Sequence, residues 1–151
     1  YAPVNGDLCG AHLGVPLSTG PAADLDDVYV LALDRAGNVY VTCSSTCVGT
    51  GDDSATVKYD PPGSELWFSR YNGPVNKADI ARDLAVDATG NVHVTGSSAG
   101  ANSGADYLTI KYSTAGAELW TMRYNGPRGK DDQAYALAGG NASAKSLSQA
   151  R

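Results

Sequence analysis

A 53-residue internal repeat constrains the fold of this chain more than any other feature of its sequence. Residues 25–77 and 78–130 align without a gap, and 26 of the 53 positions are identical. A period of this length indicates a repeat architecture, in which each unit buries its apolar surface against its neighbours. Fragments of further units flank the two copies, at Leu13, Gly20 and Pro21 on one side and at Leu137 and Ala138 on the other.

The repeat divides the chain into four parts. We predict an N-terminal segment with the remnant of a preceding repeat at 1–24, complete repeats at 25–77 and 78–130, and the start of a third repeat with a polar tail at 131–151. After Ala138 the expected Val-Asp pair is replaced by two glycines. The small, polar residues that follow predict coil.

Within one unit, the pattern indicates four short strands. In the stretch NVYVTCSS, Val39 and Val41 fall on one face and Tyr40 on the other. A loop rich in Gly, Thr and Asp is expected at 46–54. Four strands in about 50 residues are typical of a propeller blade. The predicted fold is therefore all-β, with two complete β-propeller-type blades and partial flanking repeats; a β-sandwich is the alternative.

Composition and charge exclude some classes of function. The net charge is −5 at pH 7, and the sequence contains no cluster of Lys and Arg, which argues against nucleic-acid binding. No apolar run approaches the roughly 20 residues that a membrane-spanning helix needs. The sequence starts at Tyr1 rather than at Met. We take a removed signal peptide as one explanation.

The repeat resembles a known bacterial family. The strings DLAVDATGNVHVTGSS, DYLTIKYSTAGAELW and RYNGP are similar to the SBBP-type β-propeller repeat, and the resemblance covers about 25–138. It implies a blade of a secreted or surface-located propeller. The family has no common catalytic residues, so the resemblance assigns none here.

The number of repeats departs from that of known propellers. Propellers have about four to eight blades, whereas this sequence holds two whole repeats and pieces of two more. Uncovered blade faces and open strand edges are unfavourable in water. We therefore expect the chain to associate with copies of itself, as a closed ring or an open filament, or to be part of a larger assembly.

The cysteines allow three interpretations. Cys43 and Cys47 both correspond to glycines in the second repeat, which favours a local disulfide between them and leaves Cys9 free or intermolecular. In the second interpretation, Cys9 pairs with one of these two. The third is a zinc site formed by the three cysteines and His12, which the long separation and loose spacing disfavour.

Aromatic and acidic residues are the candidates for ligand binding. Exposed aromatic rings can stack on sugars, and loops that differ between repeats on a rigid scaffold are common binding sites. Against this, aromatic residues that recur once per repeat are also expected to pack between blades. The binding candidates are Trp67, Trp120, Tyr71 and Tyr124, with Asp52, Asp53 and Asp106 in the loops at 46–54 and 99–107.

Other polar residues have simpler explanations. Asp34 and Asp87 begin identical Asp-x-x-Gly-Asn motifs, which predict Asx-type turns better than calcium loops. His93 replaces Tyr40 in the repeat and has no catalytic partner at a diagnostic spacing, and neither has His12. Glu65 and Glu118 recur with the tryptophans, as structural residues do, rather than forming a glycosidase pair. The segment from Asn141 to Ser143 is a glycosylation sequon.

These observations favour a non-enzymatic, extracellular β-repeat protein that works by assembly and needs no cofactor or metal. A carbohydrate- or protein-binding module of lectin type is the alternative, and a propeller enzyme ranks third.

Overall fold

The computed structural model describes residues 26–47, 51–138 and 145–149. Within these ranges the chain forms ten strands and no helix, which confirms the all-β prediction. The strands are β1 (Asp26–Leu33), β2 (Val39–Cys47), β3 (Gly51–Tyr59), β4 (Glu65–Tyr71), β5 (Asp79–Val86), β6 (Val92–Ala99), β7 (Ala105–Tyr112), β8 (Glu118–Tyr124), β9 (Gln133–Ala138) and β10 (Lys145–Gln149).

Each repeat forms one four-stranded antiparallel sheet. The strand order is β1-β2-β3-β4 in the first sheet and β5-β6-β7-β8 in the second, so every strand pairs with its neighbour in sequence. The strand count per repeat is as predicted. Short connections make this order possible, because adjacent antiparallel strands need only a tight turn between them.

The Asp-x-x-Gly-Asn motifs form the turns between the first two strands of each sheet. The Asp34 carboxylate accepts hydrogen bonds from the backbone N–H groups of Ala36 and Asn38, both at 2.9 Å. Gly37 has a φ of 84°, a conformation that favours glycine. Asp87 and Asn91 repeat the arrangement in the second sheet. The prediction of Asx-type turns is confirmed.

The two sheets stack face to face around a shared core. We call the side that carries Tyr40 and Trp67 the forward face of the first sheet, and the side that carries Val92 and Tyr112 the rear face of the second. β5 lies against β1, β2 and β3. The core consists of Tyr40, Ala81, Leu84, Val92, Val94, Leu108, Ile110 and Tyr112.

The second sheet is covered on both sides. β9 lies against β5, β6 and β7, as β5 lies against the first three strands. The backbone N–H of Leu137 donates to the Asp83 carboxylate on the forward face of the second sheet. The first seven residues of β6 are all buried. A strand with a solvent-facing side would alternate instead, so the burial of β6 argues against a simple two-layer sandwich.

A bulge recurs at one position of each unit. The strand register shifts between Val28 and Val30 in β1 and between Ala81 and Asp83 in β5, which leaves Tyr29 and Arg82 as the extra residues. The guanidinium of Arg82 lies 5.2 Å from the centre of the Tyr29 ring. The bulges of successive sheets therefore meet in a cation–π contact.

The polar tail is not coil throughout, and that prediction was wrong. β10 pairs with β9 in an antiparallel hairpin, and Lys145 and Leu147 occupy the sequence positions of Val92 and Val94 in β6. The pairing of β10 with β9 is displaced by one residue from that of β6 with β5. The third repeat thus supplies two strands rather than one.

The loop expected at 46–54 is also shorter than predicted. β2 extends to Cys47 and β3 begins at Gly51, with Cys47 and Gly51 as paired residues. Likewise, β6 extends to Ala99 and β7 begins at Ala105. Cross-strand pairing overrides the loop-like composition of these segments.

Candidate functional site

Trp67 lies at the junction of the two sheets. Its indole Nε1 donates a hydrogen bond to the carbonyl oxygen of Thr114, at 3.0 Å, in the turn between β7 and β8. Its ring centre is 6.2 Å from that of Tyr40 and 6.2 Å from that of Tyr112. A Cβ on Gly116 would lie 2.7 Å from the Trp67 ring. Trp67 is therefore a partly buried residue that packs between the two sheets, and ligand binding at this position stays a prediction.

Trp120 occupies the same repeat position but is open to solvent. Its side chain is 38% exposed, and Met122 and Tyr124, on the same face of β8, are 65% and 57% exposed. We call these three residues the β8 ridge. Trp120 contacts the His93 ring edge-on, with the ring centres 5.9 Å apart. The β8 ridge is the strongest candidate for a functional surface in the described part of the chain.

The two tyrosine candidates differ in the same way. Tyr71 packs against the core between the sheets, and burial raises the pKa of its phenol. Tyr124 lies in the β8 ridge and stacks on Tyr107, with ring centres 5.8 Å apart and planes 15° apart. Of the four predicted aromatic residues, only Trp120 and Tyr124 lie together on an exposed surface.

The predicted acidic candidates do not lie in loops. Asp53 in β3 and Asp106 in β7 form ion pairs with the arginines of the neighbouring strands, Arg70 and Arg123. The Asp53 side chain is fully buried, and that of Asp106 is 10% exposed. Asp52 also lies in β3, opposite Thr46. Asp53 and Asp106 therefore form one inter-strand ion pair per repeat. The prediction that they lie in loops was wrong, and their role in ligand binding stays a prediction.

A second repeated contact, which was not predicted from the sequence, joins one unit to the next. The backbone N–H of Gly73 donates to the carboxylate of Asp79, and that of Gly126 donates to Asp132. Asp79 is fully buried, and this burial raises its pKa, although hydrogen bonds from Ser98 and Gly73 act in the opposite direction. The sequence contains a signal for this contact, because an aspartate recurs at the 53-residue period, at Asp26, Asp79 and Asp132.

His93, which contacts Trp120, belongs to a polar cluster with Asp87 and Lys111. His93 Nε2 and Lys111 Nζ lie 3.4 and 3.5 Å from the Asp87 carboxylate. Burial raises the pKa of Asp87, but hydrogen bonds from Thr89, Asn91 and His93 outweigh it and place the pKa below the ordinary value. Burial lowers the pKa of His93. Asp87 acts in the opposite direction on the pKa of His93, but the effect of burial is the larger of the two.

The buried imidazole makes stability depend on pH. Because the pKa of folded His93 is below its ordinary 6.5, the unfolded chain takes up a proton first as the pH falls. The contribution of His93 to the free energy of unfolding should therefore decrease from about pH 7 towards pH 5. We expect His93→Tyr, which restores the residue found at position 40, to reduce this decrease.

Urea unfolding of both proteins at several pH values measures the effect. His12 is common to the two proteins, so it cancels in the difference. Identical pH profiles for the protein and the variant would show that His93 does not titrate differently in the folded state.

Two of the three cysteines, Cys43 and Cys47, lie in β2. Cys9 and His12 lie outside the described residues, and the side chain of Cys43 is buried. Cys43 and Cys47 both belong to β2, where four residues span about 13 Å. A disulfide needs Cα atoms within about 7 Å. The extended strand therefore disfavours a local Cys43–Cys47 bridge, and the pairings stay predictions that mass measurement before and after reduction would test.

Other candidate chemistry is not assembled in the described ranges. Glu65 and Glu118 begin β4 and β8, in two different sheets. No group of three or more His, Cys, Asp or Glu side chains within the described residues is placed to hold a metal ion. The sequon at Asn141 falls outside these residues.

None of the described residues belongs to a helix of the length and hydrophobicity that a membrane crossing requires. The chain matches no protein-family model and no curated protein.

Proposed function

We propose that this chain is a non-enzymatic, extracellular β-propeller-type repeat protein of bacterial origin, related to the SBBP-type repeat, and that it works by associating with copies of itself. The product would be a ring, a filament or part of a larger surface assembly. The β8 ridge is the observation that carries the proposal.

The internal junction supports the proposal. On the first sheet, Trp67 is covered by the next unit, and the hydroxyl of Ser69 donates to the carbonyl of Gly116 at 2.5 Å. On the second sheet, the corresponding Trp120 and Met122 have no such cover from the described residues. An aromatic surface whose duplicate is a packing surface is expected to pack as well.

The opposite side of the molecule offers a matching surface. Leu31 and Leu33, on the rear face of the first sheet, are 59% and 63% exposed. Their counterparts in the second sheet, Leu84 and Val86, are buried and partly buried against the first sheet. Since the two uncovered surfaces differ, a contact between them would be head-to-tail, which gives closed rings or open filaments.

Light scattering on the purified chain tests the proposal. We expect the mass to rise with concentration to a multiple of the 15.5 kDa chain. Electron microscopy then separates rings from filaments. A mass of one chain at every accessible concentration would rule out self-association.

Carbohydrate binding is the second candidate function, because Trp120 and Tyr124 are exposed on one face and could stack on a sugar ring. A glycan array should then show binding that Trp120→Ala abolishes, while its circular dichroism spectrum stays that of the parent protein. The self-association proposal predicts no such binding.

A further inference from the structure

The bulge described above for β1 and β5 occurs a third time, in β9. Its extra residues in the first two units are Tyr29 and Arg82. In β9 the register shifts opposite Leu147 and Ser148, which leaves Tyr135 as the extra residue. A bulge redirects a side chain out of the regular ladder, and bulges are frequent next to binding sites. The three successive bulges thus carry a tyrosine, an arginine and a tyrosine.

The third bulge lies beside the second. The backbone N–H of Leu137, two residues after Tyr135, donates to the carboxylate of Asp83, which directly follows Arg82. The side chain of Tyr135 is 54% exposed, and its hydroxyl donates to Gln133 Oε1 at 2.6 Å. Tyr135 therefore offers an open aromatic ring next to the strand that carries the arginine.

The guanidinium of Arg82 lacks an acceptor within the described ranges. Its Nε is buried and has no hydrogen-bond partner there, and no carboxylate of those residues lies within ion-pair distance of it. The neighbouring carboxylate of Asp83 is engaged by the backbone, because it accepts from the N–H groups of Leu84 and Leu137. The ring of Tyr29, 5.2 Å away, contacts the charge but supplies no carboxylate. A buried donor without an acceptor costs free energy.

The chemistry of this side chain indicates the class of ligand. A guanidinium carries N–H donors alone, in a planar fork that matches the two oxygens of a carboxylate. Contact with an aromatic ring is compatible with such bidentate binding. An exposed tyrosine ring beside the fork can pack against a sugar ring. The net charge of −5 disfavours a ligand with many negative charges, but not one with a single carboxylate.

We propose that Arg82 binds the carboxylate of an acidic sugar, with the ring of Tyr135 against the sugar. Nε and one terminal nitrogen of the guanidinium donate to the two carboxylate oxygens, and Tyr29 holds the guanidinium from the preceding sheet. This site is separate from the β8 ridge and does not depend on self-association. Trp120→Ala should therefore leave binding at Arg82 unchanged.

Nuclear magnetic resonance of the arginine Nε–Hε groups tests the site in the parent protein. The signal of Arg82 is identified by its absence in Arg82→Lys. Sodium glucuronate, sodium acetate and glucose are titrated separately at constant ionic strength. We expect a saturable shift of the Arg82 signal with glucuronate, weaker binding of acetate because it has no ring, and no shift with glucose.

Two glutamine variants give the size of the effect. Arg82→Gln should lower the affinity for glucuronate at least about tenfold, because two charge-assisted hydrogen bonds are lost. Arg35→Gln is the matched control, since Arg35 is exposed in the turn after β1 and the substitution changes the net charge equally. It should bind as the parent does. Circular dichroism checks that both variants fold, and the Arg82 signal of the parent decides the question if Arg82→Gln does not.

Each other result contradicts a defined part of the proposal. Absence of a saturable shift with glucuronate and acetate would overturn it, as would unchanged glucuronate binding by a folded Arg82→Gln protein. An equal response to glucose would show that the carboxylate is not recognised. Equal affinities for acetate and glucuronate would remove the sugar from the ligand, and tighter binding of inorganic phosphate than of glucuronate would replace the carboxylate. Equal losses in the two glutamine variants would show an effect of net charge alone.

Discussion

Trp67→Ala is expected to lower the free energy of unfolding by about 3 kcal/mol, the lower end of the range for removing a large aromatic side chain from a core, because Trp67 is only partly buried. The loss has three physical sources. Apolar area between the sheets returns to water, the ring contacts with Tyr40 and Tyr112 disappear, and the carbonyl of Thr114 loses its hydrogen bond. Urea unfolding followed by tryptophan fluorescence and circular dichroism gives the difference.

Trp120→Ala is the matched comparison, because the two residues share one repeat position. In a single chain, Trp120 is 38% exposed and contacts the His93 ring edge-on, so its loss should cost less than the loss of Trp67. The comparison requires dilute solution in which light scattering gives the mass of one chain. Equal losses at the two positions under these conditions would contradict the assignment of Trp67 as the inter-sheet packing residue.

The second large effect on the free energy of unfolding is expected at the ion pair between Asp53 and Arg70 in the first sheet. Arg70→Ala leaves the carboxylate of Asp53 in a fully buried position without its ion pair. Removing one partner of a buried pair typically costs about 3–5 kcal/mol. We expect about 2–3 kcal/mol here, because the side chain of Arg70 is 28% exposed and its charge is partly solvated.

A double-mutant cycle isolates the ion pair. Combining Asp53→Asn with Arg70→Ala removes the buried charge together with its partner, so the double variant should recover much of the stability lost in Arg70→Ala. Arg123→Ala is the matched variant in the second sheet, where Arg123 also donates to the carbonyl of Ala99 at 2.7 Å. Additive effects of the two substitutions in the first sheet would show that Asp53 and Arg70 are not coupled.

The periodicity of the sequence was sufficient to predict the strands but not the surroundings of each residue. Four strands per repeat follow from alternating apolar residues and from glycine turns, and these signals are local. Whether a tryptophan is covered depends on what the next unit contributes. Trp67 and Trp120 lie in nearly identical sequence, yet one meets the Thr114–Gly116 turn and the other faces solvent.

The errors have physical causes of the same kind. Asp53 and its neighbours have the composition of a loop, but strand pairing and the Arg70 ion pair hold them in β3. β10 has only one large apolar residue, Leu147, and its sequence alone does not indicate a strand. It becomes one because β9 presents a pairing edge. Both are cases in which a partner elsewhere in the chain outweighs local propensity.

The hydrogen bond from Gly73 to Asp79 has a consequence for the order in which the chain folds. The carboxylate that holds the exit turn of the first sheet belongs to the first strand of the second sheet. During synthesis from the N-terminus, the ribosome must therefore release part of the following repeat before the preceding one can close its last turn. The same delay applies to Gly126 and Asp132 one unit later. The units that fold are thus offset from the units that repeat in the sequence, and each sheet is completed by the residues that begin its successor.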